Sequence, residues 1–317
     1  MNIIFLFNVI FFLIPAFCIQ NIFAKEQSVL SNFTSQKFEF GSIESSPDLS
    51  SYLSTQRTLS KEERKALERK MKEYTAGQDR KRMSLEQLEQ VVLVSWELKD
   101  HFMTLLYLDQ LFILCKDVSK LQKYKRMRAD IFFEQGKLAD AELAYKEYCI
   151  LYPGAIDSEE VHYRLIVCLR LQMCEKDQDQ TKTREVIKCA DQFLEKEKVF
   201  KIYALDVAKI RLYAYKHLYD HEVGIFDFYL KNQKFPAAQG RLAHMRQDFI
   251  QHLPHIEADL LHQEYRLASV QNDQERMNRV VAQLERKYPM YTTAVFLPAQ
   301  GKKETKKKQR ISYVNRF

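Results

Sequence analysis

His217 and His221 are the first residues in this chain whose type and spacing could do chemistry. At i and i+4 two imidazoles share one helix face and can reach one metal ion. The run reads HLYDH, without the Glu after the first His that a helix-borne zinc peptidase uses as its base. No third ligand is evident, so the pair is read as structural or surface histidine. His252 and His255 flank a helix-ending proline, Pro254, and are read the same way. The six cysteines, Cys18, Cys115, Cys149, Cys168, Cys174 and Cys189, include no C-x-x-C pair and no His at metal-finger spacing. Most lie in apolar helical runs and read as small buried hydrophobes. Cys168 and Cys174, six apart on one helix, face different sides, which argues against a bridge. There is no G-x-S-x-G, no Walker loop and no G-x-G-x-x-G. Acidic residues are spread along solvated helix faces. With no nucleophile, base, metal set or cofactor loop, the chain reads as a protein without enzyme activity, cofactor or metal.

The elements that would position any binding residue are helices. Seven Gly and seven Pro in 317 residues suit long helical stretches. The organising stretch is Ala129 to Pro153, ADIFFEQGKLADAELAYKEYCILYP. Phe132 and Phe133 end one apolar stripe. Gly136 stands where a helix C-terminus needs a left-handed residue. Ala141 and Tyr145, at i and i+4, set a small residue beside a large one on one face. Pro153 stops the second helix. A Gly turn, small-x3-aromatic and a later Pro form a tetratricopeptide unit of about 34 residues.

Neighbouring segments repeat the pattern. Leu85, Leu88, Val92 and Trp96 start one unit at the Ser84–Gln87 capping box, and Leu105, Leu108, Phe112 and Cys115 continue it. A third unit carries Tyr163, Ile166, Val167 and Leu171, then Val186, Ala190, Phe193 and Leu194. Its spacer, EKDQDQTKT, is longer than a tight turn and is expected to protrude. The fourth has a long first helix from about Tyr203 and a second with Phe235, Ala238, Leu242 and Met245. The fifth has Leu261, Tyr265, Ala268, Met277, Val281 and Leu284. The expected fold is therefore all-α, a tetratricopeptide-type solenoid of about five helix pairs, with about ten helices over residues 84–290.

The ends differ from this body. Residues 3–17, IIFLFNVIFFLIPAF, are too short for a bilayer span and fit the apolar part of an export signal. Two processing routes stay open, cleavage after Ala24 or lipid attachment at Cys18. The expected division is a signal or anchor at 1–24, a Ser-rich linker with one charged helix at 25–83, the repeat domain at 84–290 and a basic tail at 291–317. The charged helix starts at a Ser60–Glu63 capping box. The net charge is +7, but residues 301–317 hold five Lys and two Arg against one Glu. The body is thus close to neutral, which argues against a nucleic-acid groove.

The fourth unit carries a more specific pattern. HEVGIFDFYLKNQKFPAAQGRLAHM is similar to the BamD family of outer-membrane barrel-assembly lipoproteins. The residues concerned are Phe228, Tyr229, Lys231 to Lys234, Phe235, Ala237, Ala238, Gly240 and Arg241. Ala129–Pro153 and TKTREVIKCADQFLEK resemble that family's second and third repeats, so the likeness spans roughly 85–290. The resemblance implies a non-enzymatic scaffold at the periplasmic face of the outer membrane. It implies contact with the barrel-assembly subunit and other envelope proteins, and with unfolded substrates. It also implies that Arg241 belongs to the partner contact. A generic exported tetratricopeptide adaptor for another envelope complex is the alternative.

Overall fold

The computed structural model describes residues 59–289 apart from Gln78 and Glu197. The export segment, Cys18, most of the Ser-rich stretch and the basic tail lie outside the described residues. The described chain is built of eleven α-helices and two short 3-10 turns, with no strand among the described residues. The helices are α1 (Lys61–Thr75), α2 (Leu85–Glu97), α3 (His101–Leu114), α4 (Val118–Glu134), α5 (Leu138–Leu151) and α6 (Ser158–Leu171). They continue as α7 (Thr181–Glu195), α8 (Ala204–Lys231), α9 (Phe235–Phe249), α10 (Glu257–Gln271) and α11 (Gln274–Lys287). From α2 to α11 these are the ten helices expected over 84–290, packed in consecutive pairs.

Polar starts and left-handed stops make the helices short and regular. Ser60 and Ser84 each close a reciprocal capping box, with Glu63 and Gln87. Asp100 and Asp117 cap α3 and α4 by accepting backbone N–H groups. Four of the five turns inside a pair close alike. Lys99, Gly136, Gln233 and Asn272 all have φ between 57° and 70°. The next residue's N–H then reaches back five positions: Asp100 to Ser95, Lys137 to Phe132, Lys234 to Tyr229, Asp273 to Ala268. This is the 6→1 bond of a Schellman stop. Only one of the four sites carries the Gly that the geometry favours.

Contacts along each pair show the helix directions. Gln122 meets Tyr148, Lys125 meets Glu147 and Asp130 meets Tyr145, so α4 and α5 are antiparallel. Arg126 meets Asp157 and Arg164 meets Asp130, so α4 and α6 run parallel. The α6 and α8 helices are parallel too, since Glu159 and Tyr163 meet Tyr203 while Arg170 meets Tyr213. First helices therefore align, and the first three connections between pairs gather at one end of the array, while the fourth, at His252, stacks on Tyr215 midway along α8.

The core follows the pairs. Leu88, Val91, Val92, Leu108 and Leu111 fill the first, with Met71 and Tyr74 of α1 packed against it. Ala129, Ala141, Tyr145, Val161, Ile166, Ala190 and Phe193 fill the next two. The 28-residue α8 gives Val207, Ile210 and Ala214 to that cluster and Tyr219, Phe226 and Leu230 to the one beyond. At 1.5 Å per residue it is about 42 Å long and ties two repeats together. In the last pair Val280, not Val281, is buried beside Leu284. Leu261, Ala268 and Leu284 are buried as expected, so only the Val281 position departs from the expected stripe.

Candidate partner-binding surface

The resembling motif folds as the corner between α8 and α9. Lys231 ends α8, and Asn232 donates through Nδ2 to the Phe228 carbonyl at 2.7 Å. Pro236 lies in the first turn of α9, where its missing N–H has no intrahelical partner to lose. Ala238, Leu242, Met245 and Phe249 face α8 and are buried. Phe228, by contrast, is 58% exposed at the corner and meets Tyr229 edge-on. Gly240 does not mediate close helix approach. A Cβ built there meets nothing within 4 Å, so the room it leaves is on the open side of α9.

Arg241 stands on α9 at the edge of that core stripe, three residues after Ala238 and four before Met245. Its Nη1 donates to Glu222 Oε2 at 3.1 Å. The Glu222 side chain is 6% exposed and that of Arg241 is 36% exposed. A guanidinium has five N–H donors in a fixed fork. Glu222 takes one edge, and the exposed part can meet a carboxylate from outside. Arg241 is thus both the counter-ion of a buried acid and a surface cation. Beyond it, Arg266 pairs with Asp227 at 2.7 Å, and Glu264 bridges Arg246 and Arg276.

A second polar cluster, between the second and third pairs, escaped the sequence reading. Asp130 is buried in α4 and accepts from the Tyr145 hydroxyl at 2.6 Å and from Arg164 at 3.1 Å. Arg126 reaches Asp157 at 2.6 Å and Glu160 at 2.5 Å. Asp157 also accepts from Tyr148 at 2.6 Å. Burial pushes the Asp130 carboxyl up despite both arginines, and burial also raises the Tyr145 hydroxyl well above its usual value. The signal available in sequence was the pairing of types. A buried Tyr requires a partner for its hydroxyl, and Asp130 stands alone in an apolar run.

The histidines act as struts. His217 Nδ1 meets Gln180 Oε1 at 3.1 Å, and His221 Nδ1 meets the Lys176 carbonyl at 2.5 Å. Gln180, 2% exposed, also donates to the Glu175 and Gln178 carbonyls. The spacer expected to protrude is therefore exposed over 174–179 but lashed to α8. Cys149 lies 3.7 Å from His162, and burial pushes its thiol up to about 11. A thiol protonated at neutral pH is a poor nucleophile. No described helix is long and apolar enough to cross a membrane.

Compared with known families, residues 118–288, from the start of α4 to the end of α11, match the family described as YfiO: Outer membrane lipoprotein. The match covers more than half of the chain. It starts one helix pair later than the resemblance read from 85–290, although α2 and α3 pack onto the array like the other pairs. No curated protein matches the chain.

Proposed function

Because this chain belongs to the YfiO family of outer membrane lipoproteins, we propose that it is a non-enzymatic scaffold on the periplasmic face of the outer membrane. It binds the barrel subunit of the β-barrel assembly machinery, and it presents helix faces to unfolded barrel substrates. Membership of the family is the observation that carries this reading. Three features of the α8–α9 unit support it: an exposed Phe228 at the end of α8, and open space over Gly240 and a partly exposed Arg241 on α9. Aromatic residues and Arg are the types in which protein interfaces concentrate their energy. The buried Glu222 holds the guanidinium in place before a partner arrives, which lowers the ordering cost of binding.

Export of the chain and attachment to the membrane through Cys18 are part of the same proposal. Gentle solubilisation of membranes carrying the tagged full chain should recover an outer-membrane barrel protein with it. Recovery of other envelope proteins without a barrel protein would favour the general adaptor and overturn the barrel-assembly reading.

A further inference from the structure

Thirteen large hydrophobic side chains are exposed among the described residues, and nine of them sit where one helix pair connects to the next. Scattered exposed hydrophobes need no explanation. This concentration does, because parallel first helices bring those connections to one end of the array. Ile113 and Val118 stand at the first connection, Ile150 and Ile156 at the second, Val199 and Ile202 at the third. Each of the six is at least 65% exposed. The opposite end, with Lys99-Asp100, Gly136-Lys137, residues 174–179 and Asn232-Gln233-Lys234, is mainly polar, with Phe102, Phe228 and Val270 as its exposed large hydrophobic side chains.

We infer that this apolar end is a membrane-docking edge that rests on an anionic lipid surface. The aliphatic groups are separate tips on loops and helix ends, which suits shallow insertion between headgroups better than capture of one peptide strand. Lysines alternate with them: Lys116, Lys198 and Lys201 are exposed on the same connections. Three acids at these ends are engaged internally. Asp117 caps α4, Asp157 holds Arg126 and Tyr148, and Glu159 accepts from the Tyr203 N–H. By sequence the connections 115–117, 152–157 and 196–203 hold Lys116, Lys196, Lys198 and Lys201 against Asp117, Asp157 and Glu197, and Arg126 offsets Asp157, which leaves a small positive excess. Basic groups beside apolar tips are what an anionic interface attracts. The inference rests on the membrane location proposed above and adds which edge of the protein faces the lipid.

The test uses the full chain in vesicles containing phosphatidylglycerol, with tryptophan as the probe. The chain's one Trp, Trp96, lies at the far end of α2 and supplies a constant background. Ile156→Trp and Ile202→Trp should blue-shift and be quenched by brominated acyl chains. Gln178→Trp, at the polar end, should do neither. Joint replacement of Lys116, Lys198 and Lys201 by Glu should abolish quenching at Trp introduced at 156 or 202, as should uncharged phosphatidylcholine vesicles. No quenching at either edge position, or equal quenching at the polar end, overturns the docking edge. A blue shift without bromine quenching also overturns it, pointing to a second copy or another protein. These outcomes are separate from recovery of a barrel protein, so either idea can fail alone.

Discussion

Arg241 donates to Glu222 across the α8–α9 interface at 3.1 Å, joining a guanidinium about a third exposed to a carboxylate that is 6% exposed. The pair makes charge reversal a poor probe of binding. Arg241→Glu would set two carboxylates together, one of them buried, and should cost about 1–3 kcal/mol of stability before any partner is considered. Glu222→Gln, measured by denaturant unfolding, should cost less, because its amide still accepts from Nη1.

Arg241→Lys separates the two roles. A Lys ammonium can satisfy Glu222 as a point charge but has no second edge for an outside carboxylate. The variant should keep the wild-type melting curve within about 0.5 kcal/mol. It should also recover less of the barrel partner, by about tenfold if one bidentate pair is lost. Wild-type recovery by the folded variant would remove Arg241 from the contact and leave it as the counter-ion of Glu222 alone.

Ala141 is fully buried between helices beside Tyr145. Ala141→Phe should overpack the site and cost about 1–3 kcal/mol. Tyr145→Phe keeps the shape of the site and removes one donor to Asp130, whose carboxylate is buried. It should also cost about 1–3 kcal/mol, in urea melts monitored by circular dichroism. A neutral Tyr145→Phe would mean that the two arginines alone satisfy Asp130.

Gly240 makes an opposite prediction. It occupies a helical position on α9 with open space where a Cβ would go. Gly240→Ala should therefore stabilise the free protein by about 0.5–1 kcal/mol. Replacement by Gln should leave folding intact and fill the space beside Arg241, weakening partner recovery. A destabilised Gly240→Ala chain would show that α9 is packed more closely than the structure has it.

How much of this was legible in the sequence depends on the kind of interaction. The helix pairs could be read because apolar residues at 3.6 spacing, Ser caps and Pro153 act locally. The Schellman stops at Lys99 and Gln233 could not, since residues that rarely adopt the left-handed turn carry it there and leave no compositional mark. Asp130 with Tyr145, and Glu222 with Arg241, are joined between helices 15 and 19 residues apart. Nothing in residue order says which of many acids meets which base. His217 and His221 were read as structural or surface histidines, because no third ligand was evident beside them. Their actual use, holding the Gln180 loop onto α8, needed the tertiary fold. The Arg241 surface was legible only through resemblance, because a partner site on a helix face has no spacing of its own.

Acid stability supplies the last prediction. Glu142 of α5 is 6% exposed and accepts from Lys146, Lys182 and Gln172, tying α5 to the end of α6 and the start of α7. Burial pushes its carboxyl up, but the three donors outweigh burial and hold it below the ordinary 4.5. A carboxyl lowered in the folded chain takes up its proton more readily when unfolded. Its stabilisation is therefore complete above pH 4.5 and is lost as pH falls through the folded value. Both lysines are about a third exposed, so solvent screens the contribution to about 1 kcal/mol. Glu142→Gln should be less stable than wild type by that amount at pH 7, and the gap should close below pH 4.5. Asp130 runs the other way, because burial raises its carboxyl and proton uptake on acidification favours the folded chain. Urea midpoints for wild type, Glu142→Gln and Asp130→Asn across this range separate the two. A Glu142→Gln gap that stayed constant with pH would mean that Glu142 acts through packing rather than through its charge.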